Sequence, residues 1–301
     1  MFRANEGMRA TGRKGECGVE NIAYYNGVTG PIEQMMVPMN DRACFFGDGV
    51  YDAMFTYNHV PLSLDDHLAR FYRSAAKVDI AVPMPAEELR ALVLSLVAQV
   101  DSPTAMVYVQ ATRGVGPRGH AYRFAGERPS LWVFVRPDAL DPMDRDYRCI
   151  TMEDTRFLHC DVKTINLLPS VIYAQRAEER GCDETILHRG ERVTECAHSN
   201  VHILKDGVFR TAPCDNLILP GITRAHRIAQ CAQMGIPVIE EPFTVAELMD
   251  ADEVFFTSCS ALCCRVREID GMSVGGRDPA LIARIQRAAW DEVLAETNAR
   301  A

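Results

Sequence analysis

The sequence predicts an α/β protein of two domains, and three observations carry that expectation. Hydrophobic residues make up 48% of the 301 positions and charged residues 24%, ample core material for about two average domains. Strand-like and helix-like segments are interleaved in both halves, without the regular ~30-residue rhythm of a βαβ array. Between the halves lies Arg136-Pro137-Asp138-Ala139-Leu140-Asp141-Pro142, whose prolines and aspartates mark a linker. The organisation expected is a disordered extension over residues 1–20, a smaller N-terminal α/β domain over 21–138, a linker over 139–144 and a larger C-terminal domain over 145–301.

Residues 1–20 are glycine-rich, carry Arg3, Arg9, Arg13 and Lys14, and show no apolar period, so they read as a frayed extension rather than a targeting helix. Alternation begins at Ile22-Ala23-Tyr24-Tyr25, and Asn26-Gly27 signals a hairpin turn. A strand is expected from Val50 to Tyr57, then a helix from Leu64 to about Val78 with Ser63 as its N-cap, and a second helix from Ala86 to Val100. Ala105 to Thr112 and Leu131 to Val135 read as strands. The polar loop between them, Arg113 to Pro129, exceeds the usual ~4–6 residues, which favours a binding role. Beyond the linker come a strand near Arg148 to Thr155 and a helix from Pro169 to Arg180 closed by Gly181. Hairpins are expected to turn at Arg189-Gly190 and Asp206-Gly207. A helix follows Pro220-Gly221 and ends at Gly235, a strand covers Glu253 to Thr257, and an amphipathic helix covers Ala280 to Thr297.

Several functions are excluded by composition. A net charge of -9 would repel a nucleic-acid backbone, and no apolar run approaches the ~20 residues that span a membrane. The 11 cysteines are odd in number and scattered, with no signal-peptide core ahead of them, so a cytoplasmic protein with buried, reduced thiols is expected. There is no Cys-x-x-Cys pair, and Cys259, Cys263 and Cys264 lack zinc-ligand spacing, so no metal is expected.

Five motifs could carry chemistry, and each has a plainer reading. Phe46-Gly47-Asp48-Gly49-Val50-Tyr51 lacks the spacing of a dinucleotide fingerprint or P-loop, and by itself it is a tight turn before a strand. Lys163, between Val162 and Thr164-Ile165, is either a snorkelling surface residue or a desolvated Schiff-base amine. Glu195, at the end of an apparent strand, is either solvated, as strand-end glutamates usually are, or, among Cys, Ala and apolar neighbours, a partly buried carboxylate in need of a cationic partner such as a protonated pyridine nitrogen. Leu219-Pro220-Gly221-Ile222-Thr223-Arg224 opens a helix whose first N–H groups and Thr223 hydroxyl make either a simple cap or a phosphate cup, and Thr257-Ser258-Cys259-Ser260 offers further donors. Arg118 and His120, two apart in an extended loop, point the same way and could grip one carboxylate; otherwise they are solvated.

The order of these motifs resembles the fold-type IV aminotransferases, which use pyridoxal 5′-phosphate, and among them the bacterial D-amino-acid aminotransferases. The resemblance runs from Tyr24 to about Ile269. It rests on the Phe46–Tyr51 motif, Thr112-Arg113-Gly114, Pro117-Arg118-Gly119-His120, Lys163 to Leu168, Val193-Thr194-Glu195, Ser199-Asn200-Val201 and Gly221-Ile222-Thr223-Arg224. It implies a smaller N-terminal α/β domain, a larger C-terminal domain with a pseudo-barrel sheet, and a homodimer whose active sites are shared across the interface. It implies transamination between a D-amino acid and a 2-oxo acid such as 2-oxoglutarate or pyruvate. Lys163 would carry the cofactor and shuttle the proton, Glu195 would pair with the pyridine nitrogen, and Arg70, Ile222 and Thr223 would bind the phosphate. Ser199, Asn200, Leu219, Ser258 and Cys259 would complete the cofactor site. Tyr51, with Arg118 and His120 from the partner subunit, would trap the substrate carboxylate.

Two positions depart from that pattern. His198 replaces a small serine usual beside the cofactor, which either alters substrate range or leaves the ring pointing away. Cys259 replaces a common phosphate-contacting threonine, keeping the backbone donor but losing the hydroxyl, so a modest loss of cofactor affinity is expected. Alternatives of the same fold are an L-branched-chain aminotransferase, an (R)-amine transaminase and an aminodeoxychorismate lyase; the Arg118/His120 pair favours D-amino acids.

Overall fold

In the computed structural model, which describes residues 19–126 and 128–298, the strands form two sheets. The first begins with β1 (Ile22–Tyr25) and β2 (Val28–Gly30), joined through Asn26 (φ 46°) and Gly27 (φ 97°), the left-handed pair that a two-residue turn needs. Helix α1 (Arg42–Phe46) is capped by the Asp41 carboxylate and ends at left-handed Gly47, which releases the chain into β3 (Gly49–Tyr57). After β4 (Val60–Pro61) come α2 (Leu64–Lys77), α3 (Ala86–Val97), β5 (Ala105–Thr112) and β6 (Ser130–Pro137). The sheet is antiparallel throughout, in the order β2-β1-β6-β5-β3-β4. Leu64, Leu68, Phe71 and Ala75 form one stripe of α2 at helical spacing and share a core with Val50, Met54, Val107 and Val109 of the sheet.

Three expectations need correction here. Ser63 precedes α2, but it adopts φ 51° and its hydroxyl makes no capping bond; its N–H donates to the Glu296 carboxylate at 3.0 Å. Helix α3 stops at Val97, because Val100 is drawn into a bridge with Val19. Val19, placed by sequence in the extension, donates its N–H to Gln99 at 2.8 Å; residues 1–18 of that extension lie outside the described residues.

The second sheet starts at β7 (Tyr147–Glu153). Helix α4 (Leu168–Glu179) leads to β8 (Glu184–Arg189), β9 (Arg192–Cys196), β10 (Asn200–Lys205) and β11 (Val208–Thr211). Then come α5 (Ile222–Gln233), β12 (Val238–Glu240), α6 (Val245–Met249), β13 (Glu253–Thr257), β14 (Cys264–Ile269), β15 (Met272–Ser273) and α7 (Pro279–Asn298). The strand order is β12-β11-β10-β13-β14-β7-β8-β9, with β15 on β14. That order forces a curl. Strands β9 and β10 stand five places apart, about 24 Å if the sheet were flat. The chain joins them through Ala197, His198 and Ser199 alone, a reach of at most about 14 Å. The sheet therefore bends into a half-barrel, as the family resemblance implies.

Ile186, Val201, Ile203, Val254, Phe256 and Val266 pack within one core of this sheet. Leu204, Phe209 and Phe255 pack instead with Cys231 of α5 and with Ile282 and Ile285 of α7, and Leu62 from the first half joins them. Of the described cysteines, all unpaired, six are buried as expected; Cys44 and Cys214 are exposed and Cys182 and Cys259 are half-buried. Cys44 belongs to a five-residue helix that buries only Arg42, and Cys214 to the β11–α5 loop, so no second layer covers either. Among the described residues no helix is long and apolar enough to cross a membrane.

Candidate active site

The segment between β7 and α4 forms no long element of its own and is strapped onto β3. The N–H of Tyr51 donates to the Lys163 carbonyl at 2.9 Å, the N–H of Ile165 donates to the Gly49 carbonyl at 3.2 Å, and Val50 pairs with Thr164. From α2, Ser74 Oγ accepts the Lys163 N–H at 3.2 Å. This close approach requires glycine at position 49, where a Cβ would lie 2.8 Å from the Ala111 carbonyl and 2.9 Å from Ile165. The strap fixes Lys163 with its amine 3.3 Å from the Tyr51 hydroxyl and 4.4 Å from the centre of that ring. The snorkelling alternative does not hold: Lys163 is half-buried and lines a cavity of about 310 Å³. Lys77 and Lys205 instead pair at the surface with Asp161 and Asp250.

Part of the cavity wall is a cluster of donors. Arg70, 5% exposed, meets the Asp52 carboxylate through Nε at 2.8 Å and Nη2 at 2.7 Å, and its Nη1 reaches the Pro220 carbonyl at 3.3 Å. His67 Nδ1 lies 2.8 Å from the same carboxylate. Burial alone would raise the Asp52 carboxyl, but Arg70 and His67 hold it well below the usual range. Beside Arg70, helix α5 starts at Gly221 with no side-chain cap, so its first N–H groups are free for an anion at Ile222 and Thr223, both of which line the cavity. The Thr223 hydroxyl is otherwise engaged than expected, since it donates to the Ser258 carbonyl at 2.7 Å. Cys259 lines the same wall; burial pushes its thiol up, with Lys163 and Arg70 pulling the other way.

Glu195, on β9, is 5% exposed and holds three donors, one fewer than the roughly four a carboxylate can accept. Arg156 Nη1 donates to Oε1 at 2.5 Å, while Asn200 Nδ2 and the Leu219 N–H donate to Oε2 at 2.9 and 3.0 Å. Burial raises the carboxyl above its ordinary value, against the pull of Arg156 and Leu219. Gly221 allows the arrangement, because a Cβ there would stand 2.1 Å from Asn200 Oδ1. Arg156 is held in turn by Asp154, with Nε and Nη2 each 2.9 Å from its oxygens. Sequence reasoning supplied Glu195 with a ring nitrogen and missed Arg156 as its partner within the chain. A basic residue two after an acidic one is too common a pattern to signal this.

The β9–β10 turn supplies another wall. His198 faces the cavity with its side chain 62% exposed, and its Nδ1 lies 3.0 Å from Oε2 of Glu184, a carboxylate only 1% exposed. Ser199 Oγ donates to the same Glu184 oxygen at 2.7 Å. Every cofactor-site residue named from sequence lines this cavity, as does Tyr51. Arg118 and His120 do not line the cavity of their own chain. Both are exposed and both meet the Phe46 ring, at 5.3 and 5.1 Å. Arg42 secures their loop by donating to the Gly119 carbonyl at 2.5 Å and the His120 carbonyl at 3.1 Å. Asp48 of the glycine-rich motif anchors that device, pairing with Arg42 at 2.7 Å and Arg113 at 3.0 Å.

A cavity with a lysine amine, an arginine beside the uncapped start of a helix, and a buried carboxylate suits a phosphorylated heteroaromatic aldehyde. The amine can condense with the aldehyde, the donors can bind the phosphate, and the carboxylate can accept a ring N–H. The half-barrel is the architecture that the fold-type IV resemblance implies. Residues 49–269 match the family described as amino-transferase class IV, and the chain belongs to it. It is 40% identical over 269 residues to the D-alanine aminotransferase of Listeria monocytogenes (strain F2365), covering 87% of this chain and 92% of that one. Among solved structures, it superposes with a TM-score of 0.82 and 26% identity on the branched-chain aminotransferase of Thermoproteus uzoniensis with norvaline, covering 93% and 95% of the two chains. It shares the fold of the branched-chain amino acid aminotransferase of Escherichia coli, at a TM-score of 0.82 and 24% identity over 91% and 94% of the chains.

Proposed function

We propose that this chain transfers an amino group between a D-amino acid and a 2-oxo acid such as 2-oxoglutarate or pyruvate, with pyridoxal 5′-phosphate as cofactor. The observation that carries the reading is the single cavity lined by Lys163, Glu195, Arg70 and the start of α5. The 40% identity to a D-alanine aminotransferase supports the D-amino acid as donor. When bound, the cofactor supplies an aldehyde carbon and a protonated ring that draws electrons from the substrate α-carbon.

The chain's own residues do the rest. Arg70 and the N–H groups of Ile222, Thr223 and Cys259 hold the phosphate, with Asp52 keeping the Arg70 fork in place, while Ser258, whose own N–H goes to the Ala261 carbonyl, shapes the wall beside it. Lys163 offers the amine and then moves the proton at the substrate α-carbon, with Tyr51 orienting it through the 3.3 Å contact. Glu195 holds the proton on the ring nitrogen; Arg156 and Asn200 fix its two oxygens, and Leu219 and Ser199 shape the surrounding wall. Tyr51 and, from a second copy of the chain, Arg118 and His120 bind the α-carboxylate, which makes the working form a homodimer. The exposed position of Arg118 and His120, on a loop braced by Arg42, supports that division of labour. A cytoplasmic location agrees with the unpaired thiols.

The test is D-alanine against L-leucine, each with 2-oxoglutarate. Pyruvate and D-glutamate from the first pair, with little reaction of the second, is the expected result. Efficient transfer from L-leucine would assign the branched-chain activity instead. A yellow purified protein would report the bound cofactor.

A further inference from the structure

We propose that His198 is a specificity-determining residue: backed by Glu184, it receives a second carboxylate on the substrate, so the chain favours amino and oxo acids with acidic side chains. The inference rests on the transaminase reading above and names its substrate class.

The other cations of the cavity are committed. Arg70 is matched with Asp52, Arg156 is shared by Asp154 and Glu195, Arg224 is paired with Glu240, and Lys163 is the reacting amine. His198 is different. Its Nδ1 edge rests 3.0 Å from Glu184 Oε2, while the opposite edge, carrying Nε2, makes no hydrogen bond among the described residues. With 62% of the side chain exposed inside the cavity wall, that edge is open to a ligand.

Glu184 makes the histidine a cation rather than a neutral ring. It accepts from the Thr185 N–H at 2.8 Å and the Ala197 N–H at 3.2 Å on Oε1, and from Ser199 Oγ at 2.7 Å on Oε2. All three donors are neutral, and among the described residues His198 is the cation paired with this buried charge. A carboxylate so placed favours a protonated imidazole beside it. Glu184 foremost, against the opposing pull of burial and a smaller one from Lys163 and with Asp141 adding, raises His198 to about 9, so the positive form prevails through neutral pH and fades as pH rises past that value. The pair is thus a dipole, anion inward and cation toward the ligand. A serine at this position would carry neither the charge nor the reach.

The test uses the cofactor-loaded protein and its His198→Ser and His198→Gln variants. The ratio of kcat/KM for D-glutamate to that for D-alanine is measured with 2-oxobutyrate as common acceptor. Binding of glutarate and of butyrate is measured by calorimetry. Loss of one charge-assisted contact should lower the ratio roughly 10- to 100-fold and weaken glutarate by a similar factor, while butyrate changes little. Normal use of D-alanine with an unmoved ratio and unmoved glutarate binding overturns this inference alone. A wild-type protein that uses neither D-amino acid overturns the transaminase reading, and this inference with it.

Discussion

Exchanging Glu195 for glutamine keeps the shape of the side chain and breaks its bonding pattern. Three donors converge on the carboxylate: Arg156 on one oxygen, Asn200 and the Leu219 N–H on the other. A glutamine has one acceptor oxygen and one NH2. With the oxygen toward Arg156, the NH2 faces two N–H donors and both of their bonds go. With the oxygen toward Asn200 and Leu219, the NH2 faces the guanidinium and the charge-assisted bond goes. Asn200 cannot turn to help without giving up its 3.0 Å bond to the Leu219 carbonyl. Either way the variant loses about 1.5–3 kcal/mol of stability, measured as the shift in urea-unfolding free energy. The amide also holds no proton on a ring nitrogen, so turnover of D-alanine should fall on the order of 10²–10³-fold with cofactor still bound. Absorbance checks the retained cofactor and single-turnover kinetics the step. Unchanged turnover would refute the role given to Glu195; unchanged stability would refute the bonding account.

Three further outcomes follow from the same geometry. Lys163→Ala should abolish transamination, and borohydride reduction of the unmutated protein should place the cofactor label on the peptide containing Lys163; a label on Lys77 or Lys205 would be decisive against it. Arg118→Ala should cost roughly 10- to 150-fold in kcat/KM for amino acids and less for amines, which have no carboxylate to hold; unchanged kinetics on D-alanine would remove Arg118 from the substrate site. Asp52, with its carboxyl held low by Arg70 and His67 despite burial, contributes stability that is present above the unfolded carboxyl's range and lost as pH falls toward the folded value. Asp52→Asn leaves Arg70 without its counter-charge and should cost about 3–5 kcal/mol near neutral pH; its melting temperature should also decline less steeply in acid than that of the wild type.

What the sequence makes legible is local or ordered along the chain. Asn26-Gly27 and Asp206-Gly207 adopt positive φ because those residues tolerate it, and the strands on either side follow. The succession Lys163, Glu195, Ile222-Thr223 and Cys259 is readable as an order along the chain, and the fold brings the four to one cavity: Lys163 from the strap, Glu195 from the end of β9, Ile222-Thr223 from the start of α5 and Cys259 from just past β13. The pairings are not readable in this way. Asp52 lies 18 residues from Arg70 and Arg156 lies 39 from Glu195, and only the folded sheets bring them into contact. Glu184 stands out by no motif in the sequence, yet it is buried behind His198. Short elements such as α6 and β12 have too few residues to show a period. Ser63 has the right chemistry for a cap, but the Glu296 carboxylate, 233 residues away, claims its backbone instead.

The strap of Lys163 on β3 sets a mechanical condition on the enzyme. The backbone around Lys163 is covalently part of the second half but hydrogen-bonded into the sheet of the first, so the two halves cannot pivot about the linker without tearing a backbone ladder. A clamshell opening of the kind that admits ligands between hinged lobes is thereby closed to this fold. Entry and release must then come from smaller movements at the cavity mouth, in segments outside the strap. Temperature factors and hydrogen exchange across a catalytic cycle should register motion there, and stillness at the Tyr51–Lys163 junction.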